Sequence, residues 1–132
     1  MKRMMRWMTV AVMMIAVAPA FAGGKATQMW RCELHDDATE DEVMEAAEKW
    51  LAAAKKMKGG ENLQAQVYFP VAVNFPDDTD LIFVVQAPTF KEWGRFRDGY
   101  KDSPAAKLDH ENRDFIAAPD SGLWEAIKVE AK

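Results

Sequence analysis

His35 is the residue of this sequence whose chemistry best suits proton transfer at neutral pH, because an imidazole has an ordinary pKa of about 6.5. It is the last residue of a predicted strand and comes directly before Asp36 and Asp37. Functional side chains are concentrated in loops that a rigid scaffold positions. His35 is therefore the first candidate for a general acid or base. The alternative interpretation is an exposed histidine in an acidic turn.

A metal site is the other chemistry that this neighbourhood could support. The second histidine, His110, lies in the charged run 109–114, and Glu33, Asp36 and Asp37 could supply oxygen ligands. Their spacing matches no metal-binding motif, so the sequence predicts no metal site. The two glycine pairs, at 23–24 and 59–60, are a terminus and a helix stop rather than phosphate loops, and no cofactor is expected.

Residues 28–35 predict the first strand, in which side chains alternate between the two faces of a sheet. One set of alternate positions suits a core: Trp30, Cys32 and Leu34. The other set consists of Met29, Arg31, Glu33 and His35. Cys32 is the only cysteine, which excludes an intrachain disulfide. Its apolar neighbours predict a small buried hydrophobe rather than a reactive thiol.

The first helix has a clear beginning and end in the sequence. Thr39 and Glu42 have the spacing of a capping box, an apolar stripe follows at steps of three and four residues, and Gly59-Gly60 stops the helix. Residues 63–73 alternate and predict the second strand. Pro70 cannot donate to a strand ladder, so this end is expected at a sheet edge or a bulge.

A third strand, predicted over 80–87, is nearly all apolar and is expected at the centre of the sheet. Thr89 repeats the capping pattern and begins a second helix with an aromatic stripe. Gly94 and Gly99 weaken this helix by roughly 1 kcal/mol each relative to alanine. We expect close packing against the sheet to hold the helix in spite of them.

The end of the chain completes the pattern. Ser103-Pro104 could begin a further turn of helix that continues towards Phe115-Ile116, residues 119–122 predict a turn, and residues 123–129 predict the last strand. The order is βαββαβ, which indicates a ferredoxin-like α+β sandwich with a four-stranded antiparallel sheet. Strands one and three are then central. One face of the sheet packs the helices and the other is open.

Residues 1–22 have the pattern of a cleaved secretory signal peptide, which leaves a single domain at 23–132. Lys2, Arg3 and Arg6 precede an apolar run of eleven residues, and Ala20-Phe21-Ala22 is a cleavage signal. That run is shorter than the ~20 residues that span a membrane, although an uncleaved anchor is the alternative. We expect an exported protein, periplasmic or secreted, with no membrane association after signal cleavage.

The charge balance of the domain excludes some partners. Residues 23–132 carry 14 basic and 21 acidic side chains, a formal charge of −7. An acidic surface disfavours a nucleic acid or an anionic membrane as partner. We therefore expect no nucleic acid partner.

The element order, the domain size and the aromatic second helix together resemble the dimeric α+β barrel superfamily. That helix begins Phe90-Lys91-Glu92-Trp93 and runs through Tyr100 to Ser103-Pro104. The superfamily includes antibiotic-biosynthesis-monooxygenase-like domains. The resemblance implies a homodimer in which two sheets pack into one barrel and each open face lines a cavity.

Three functions follow for the open face. The first is binding of a small organic ligand by Arg31, Glu33, His35, Gln66, Tyr68 and Trp124. The second is a cofactor-free monooxygenase or isomerase in which His35 moves the proton and Tyr68 is a second catalytic candidate. The third is a structural or interaction protein that docks a partner through this face. A polar surface that is solvated or faces the dimer partner explains the same residues without a ligand.

Overall fold

The computed structural model describes residues 23–73 and 79–132, so the predicted signal peptide and most of the connection after the second strand lie outside the described residues. The elements are β1 (Lys25–Leu34), α1 (Glu40–Lys55), β2 (Gln64–Tyr68), β3 (Leu81–Ala87), α2 (Phe90–Asp98), α3 (Pro104–Asn112) and β4 (Ile116–Ala126). The strands form one antiparallel sheet in the order β2-β3-β1-β4. This is the predicted ferredoxin-like α+β fold, with β1 and β3 central.

Helix α1 begins at its capping signal and ends at Lys55, before the predicted stop at Gly59-Gly60. The Thr39 backbone N–H donates to Glu42 Oε2 at 2.8 Å, and the Glu42 N–H donates to Thr39 Oγ1 at 3.3 Å, which completes the capping box. After the helix, Gly59 has a φ of 87°. A Cβ there would lie 2.5 Å from the backbone nitrogen of Phe96, so glycine lets this loop approach α2 closely.

Helices α2 and α3 are both capped by hydroxyls. The Glu92 N–H donates to Thr89 Oγ1 and the Ala106 N–H donates to Ser103 Oγ, each at 3.1 Å. Helix α2 packs against the sheet through Trp93 and Phe96, which are buried, and its glycines take no part in that contact. A Cβ at Gly94 would meet nothing within 4 Å, and Gly99 is the residue at which α2 ends.

Strand β2 is shorter than predicted. It ends at Tyr68, and the predicted inward position Val71 is 98% exposed. The alternation holds up to Phe69, which packs against the core. Pro70 follows at once, and its missing N–H ends the ladder on this edge strand.

Strand β4 is longer than predicted at its beginning. It starts at Ile116 and ends at Ala126, so the predicted turn at 119–122 lies inside the strand. The pairing with β1 shifts between Arg31 and Glu33. An edge strand with a bulge can accommodate Pro119, because its missing donor and the local bend leave the rest of the ladder intact.

The core lies between the helices and the face of the sheet that carries Trp30 and Cys32, here called the helix face. Phe96 is fully buried, Trp50 and Trp93 are nearly so, and Cys32 is 3% exposed. Phe83 stacks on Trp30 with ring centroids 5.7 Å apart and meets Trp50 edge-on at 5.6 Å. The predicted inward face of β1 is confirmed. The opposite side of the sheet is the open face.

Candidate functional site

The open face is built from rows of side chains that cross the sheet. Arg31 on β1 is opposite Ile82 on β3 and Asp120 on β4, and Tyr68 on β2 is opposite Ile82. The next row contains Gln66, Val84, Met29 and Gly122. The third row contains Gln64, Gln86, Thr27 and Trp124. Five of the six predicted ligand-binding residues, all but His35, lie within these strands.

Polar side chains of the open face bond mainly to one another. Arg31 forms an ion pair with Asp120, its neighbour across the strands. The Tyr68 hydroxyl donates to Gln66 Oε1 at 2.7 Å. These contacts hold the polar groups against the sheet.

The predicted ligand-binding residues do not form one cluster within a single chain. Gln66 and Tyr68 lie on one edge strand and Trp124 on the other, three strand spacings or about 14 Å apart. His35 follows the end of β1. Its side chain is exposed, and its backbone N–H donates to the Phe115 carbonyl at 3.0 Å. The catalytic roles of His35 and Tyr68 stay predictions.

Trp124 is the largest apolar group on the open face. It is 60% exposed. A Cβ at Gly122 would lie 2.8 Å from Trp124 Nε1, so the indole lies over this glycine. Met29, opposite Gly122, is also partly exposed. The open face therefore presents apolar surface beside its polar pairs.

A cavity of about 600 Å³ lies on the other side of the sheet, between the helix face and the helices. Its deep wall is aromatic and aliphatic, with contributions from the sheet and from α1. The apolar residues that line it include Trp30, Val43, Ala46, Ala47, Trp50, Leu81, Phe83, Phe96 and Ile116. A cavity of this size and character is typical of small-molecule sites.

Polar groups of the cavity lie on α2 and α3 and on the residues that closely follow these helices. Trp50 Nε1 donates to the Tyr100 hydroxyl at 3.0 Å, and that hydroxyl donates to Asp109 Oδ2 at 3.4 Å. Arg113 forms an ion pair with Asp109 at 3.6 Å. The Arg97 guanidinium lies 5.0 Å from the centroid of the Tyr100 ring. We call Arg97, Tyr100, Asp109 and Arg113 the polar rim.

Burial keeps the two weakly acidic groups of the cavity protonated. Desolvation, together with the nearby Asp109 carboxylate, raises the pKa of Tyr100 to about 12. Desolvation also raises the pKa of the Cys32 thiol to about 11. At neutral pH Tyr100 is therefore a hydrogen-bond donor, and Cys32 is a buried thiol rather than a thiolate nucleophile, as its sequence context predicts.

The described residues offer no further cluster with evident chemistry. Within residues 23–73 and 79–132, no three side chains of the His, Cys, Asp and Glu types are grouped so that they could hold a metal ion. In the same part of the chain no helix has both the length and the apolar character needed to cross a membrane.

None of the six predicted ligand-binding residues lines the cavity. The sequence prediction missed the polar rim because the helical spacing of Trp50 and of the aromatic residues of α2 indicated only a packed core. One signal was available. Asp109 and Arg113 are four residues apart, which places them on one face of a helix.

Comparisons by sequence find no relatives. No protein-family model matches the chain, and no curated protein matches it.

Comparisons by structure find the same fold in other proteins. A dimeric ferredoxin-like protein of unknown function from Thermobifida fusca is 11% identical, with a TM-score of 0.53 over 82% of this chain and 96% of that chain. A hypothetical protein from Arabidopsis thaliana is 10% identical, with a TM-score of 0.54 over 83% and 95%. At these identities the likeness shows the fold alone.

A weaker likeness extends to larger proteins. A chlorite dismutase from Candidatus Nitrospira defluvii is 16% identical, with a TM-score of 0.42 over 81% of this chain and 42% of that chain. The chain spans less than half the length of the chlorite dismutases that it matches. No activity is transferred from them.

Proposed function

We propose that this protein is an exported homodimer that binds a small organic ligand in the cavity between its helices and the helix face of its sheet. The observation that carries the proposal is the cavity itself: about 600 Å³, lined mainly by aromatic and aliphatic side chains, with charged groups contributed by Arg97, Asp109 and Arg113. Apolar walls supply affinity, and a few fixed polar groups supply orientation.

The helix face is favoured over the open face for the ligand. The sequence predicts a cavity on the open face, but such a cavity needs a second sheet to enclose it. The helix-face cavity needs only one chain. The Tyr100 hydroxyl and the Trp50 N–H are already fixed by hydrogen bonds, so these side chains lose little conformational freedom when a ligand enters.

The open face is proposed as the dimer interface. It exposes Met29, Tyr68 and Trp124, and covering these side chains with a second sheet would remove apolar surface from water. The similar Thermobifida fusca protein is described as dimeric. We commit to a second copy of this chain as the occupant, in place of an unrelated partner protein.

Export is proposed from the sequence of residues 1–22. The basic start, the short apolar run and the small-residue cleavage signal support it. Mass measurement of the protein recovered from its native cells should give a chain that begins at Gly23. An intact chain that begins at Met1 would contradict cleavage.

The binding proposal is tested by filling the cavity. Ala47 lines it from α1, whereas Ala52 is exposed on the same helix and does not line it. We expect 1-naphthalenemethanol or 1-naphthoate to bind saturably to the wild-type protein in calorimetry. Ala47→Phe should abolish this binding, and Ala52→Phe should leave it unchanged. The proposal fails if neither probe binds or if Ala47→Phe binds them as the wild type does.

A further inference from the structure

The polar rim contains three charged groups, and two of them neutralise each other. Asp109 is paired with Arg113 at 3.6 Å and also accepts the Tyr100 hydroxyl. The Asp109 carboxylate is therefore already bound to Arg113 and to the Tyr100 hydroxyl. Because Arg97 is the third charged group that lines the cavity, the net formal charge of the rim is +1.

Arg97 is held in place without the use of its hydrogen-bond donors. Its guanidinium carbon lies 5.0 Å from the Tyr100 ring centroid and 5.9 Å from the Trp93 ring centroid. Contact with aromatic faces orients a guanidinium and leaves its N–H groups available at the edge. Within residues 23–73 and 79–132, no group forms an ion pair with Arg97 or accepts a hydrogen bond from it.

The rest of the chain makes a positive rim unusual. The domain at 23–132 carries a formal charge of −7, yet the lining of this cavity has an excess of one positive charge. An arginine matches the planar geometry of a carboxylate with two parallel N–H donors. An aromatic body fits the apolar wall, where Phe83 contacts both Trp30 and Trp50.

We propose that the cavity is selective for organic acids: an apolar, ring-containing body packs against Trp30, Trp50 and Phe83, and its carboxylate binds Arg97. This inference rests on the proposed function and adds the chemical class of the ligand. The Asp109–Arg113 pair acts as a neutral wall beside the carboxylate, and Tyr100 positions both Asp109 and Arg97.

The test compares two probes of the same ring system and two variants of the same helix. 1-Naphthoate carries a carboxylate where 1-naphthalenemethanol carries a neutral hydroxyl. Arg97→Gln removes the cation of the cavity that forms no ion pair among the described residues. Arg97 and Arg95 are both exposed on α2, but Arg95 does not line the cavity, so Arg95→Gln removes an equal charge as the control. Calorimetry of both probes with the wild type and both variants gives six dissociation constants.

The acid should bind the wild type and Arg95→Gln about tenfold more tightly than the alcohol, as expected for one partly exposed charged hydrogen-bond pair. In Arg97→Gln the two probes should bind alike, with the affinity of the alcohol unchanged. Equal binding of both probes to the wild type would overturn the acid selectivity and leave the cavity as a ligand site. A preference that survives in Arg97→Gln would also overturn it. Binding of neither probe would overturn the proposed function itself.

Discussion

The two faces of this sheet use the same kinds of residue for different ends. Trp50 of α1 packs against the helix face, where it is 6% exposed and holds Tyr100 by a hydrogen bond inside an aromatic cluster. On the open face, Trp124 is 60% exposed and lies over a glycine. A large apolar side chain therefore belongs to a core or to an interface according to what covers it. Helices cover one face; on the other we propose a second copy of the chain.

The largest contrast between the faces is expected in stability. Trp50→Ala should lower the free energy of unfolding by about 3–5 kcal/mol, because it leaves a cavity in the aromatic cluster. Trp124→Ala should lower it by less than about 1 kcal/mol in the separated subunit, because little of this side chain is buried. Denaturant unfolding at low protein concentration measures both. Equal losses would mean that the two faces are assigned wrongly.

The next contrast concerns assembly. Met29 on the open face and Met44 on α1 are about equally exposed, at 36% and 40%. Met29→Glu should weaken the dimer about a hundredfold or more, because each copy buries an unpaired charge in the interface. Met44→Glu should leave the dimer intact. Sedimentation equilibrium measures the association. A wild-type protein that is monomeric at micromolar concentration would refute the proposed interface.

A smaller effect on folding stability is expected from the titration of Tyr100 in the cavity. The pKa of Tyr100 rises from 10.0 to about 12 on folding, mainly through desolvation. The neutral phenol therefore contributes stability that is complete below pH 10 and is lost as the pH rises towards 12. Tyr100→Phe should be less stable than the wild type at neutral pH, since it lacks two hydrogen bonds, and the difference should shrink across this window.

Urea unfolding at pH values on either side of the window measures that difference. Cys32, whose pKa burial raises to about 11, titrates in the same range. It is present in both proteins, so its contribution cancels when the two are compared. A wild-type advantage that stays constant from neutral to alkaline pH would show that burial does not hold the Tyr100 proton.

Sequence patterns predicted the parts of the fold that local chemistry decides. The capping residues Thr39 and Thr89 mark helix beginnings, and the alternation around Trp30 separates the two faces. The start of β4 was missed because residues 119–122 have the composition of a turn, and pairing with β1 across a bulge overrides that local preference.

The cavity could not be predicted for a different reason. Helical spacing indicates that Trp50 and Phe96 face inward, and both do. Whether the inward side chains fill the space beneath them depends on how α1, α3 and β4 pack, which no local pattern encodes. The six residues predicted from strand alternation lie on the open face or at the end of β1 and none lines the cavity, so the sequence could indicate polar surface without locating the cavity.

The division of roles between the faces can be tested most directly by indole N–H resonances during ligand addition. Trp30 and Trp50 line the cavity, whereas Trp124 lies on the open face. Titration of the 15N-labelled protein with 1-naphthoate should shift the Trp30 and Trp50 resonances along one saturable curve and leave Trp124 in place. A saturable shift of the Trp124 resonance, with Trp30 and Trp50 unchanged, would place the ligand on the open face and contradict binding in the cavity.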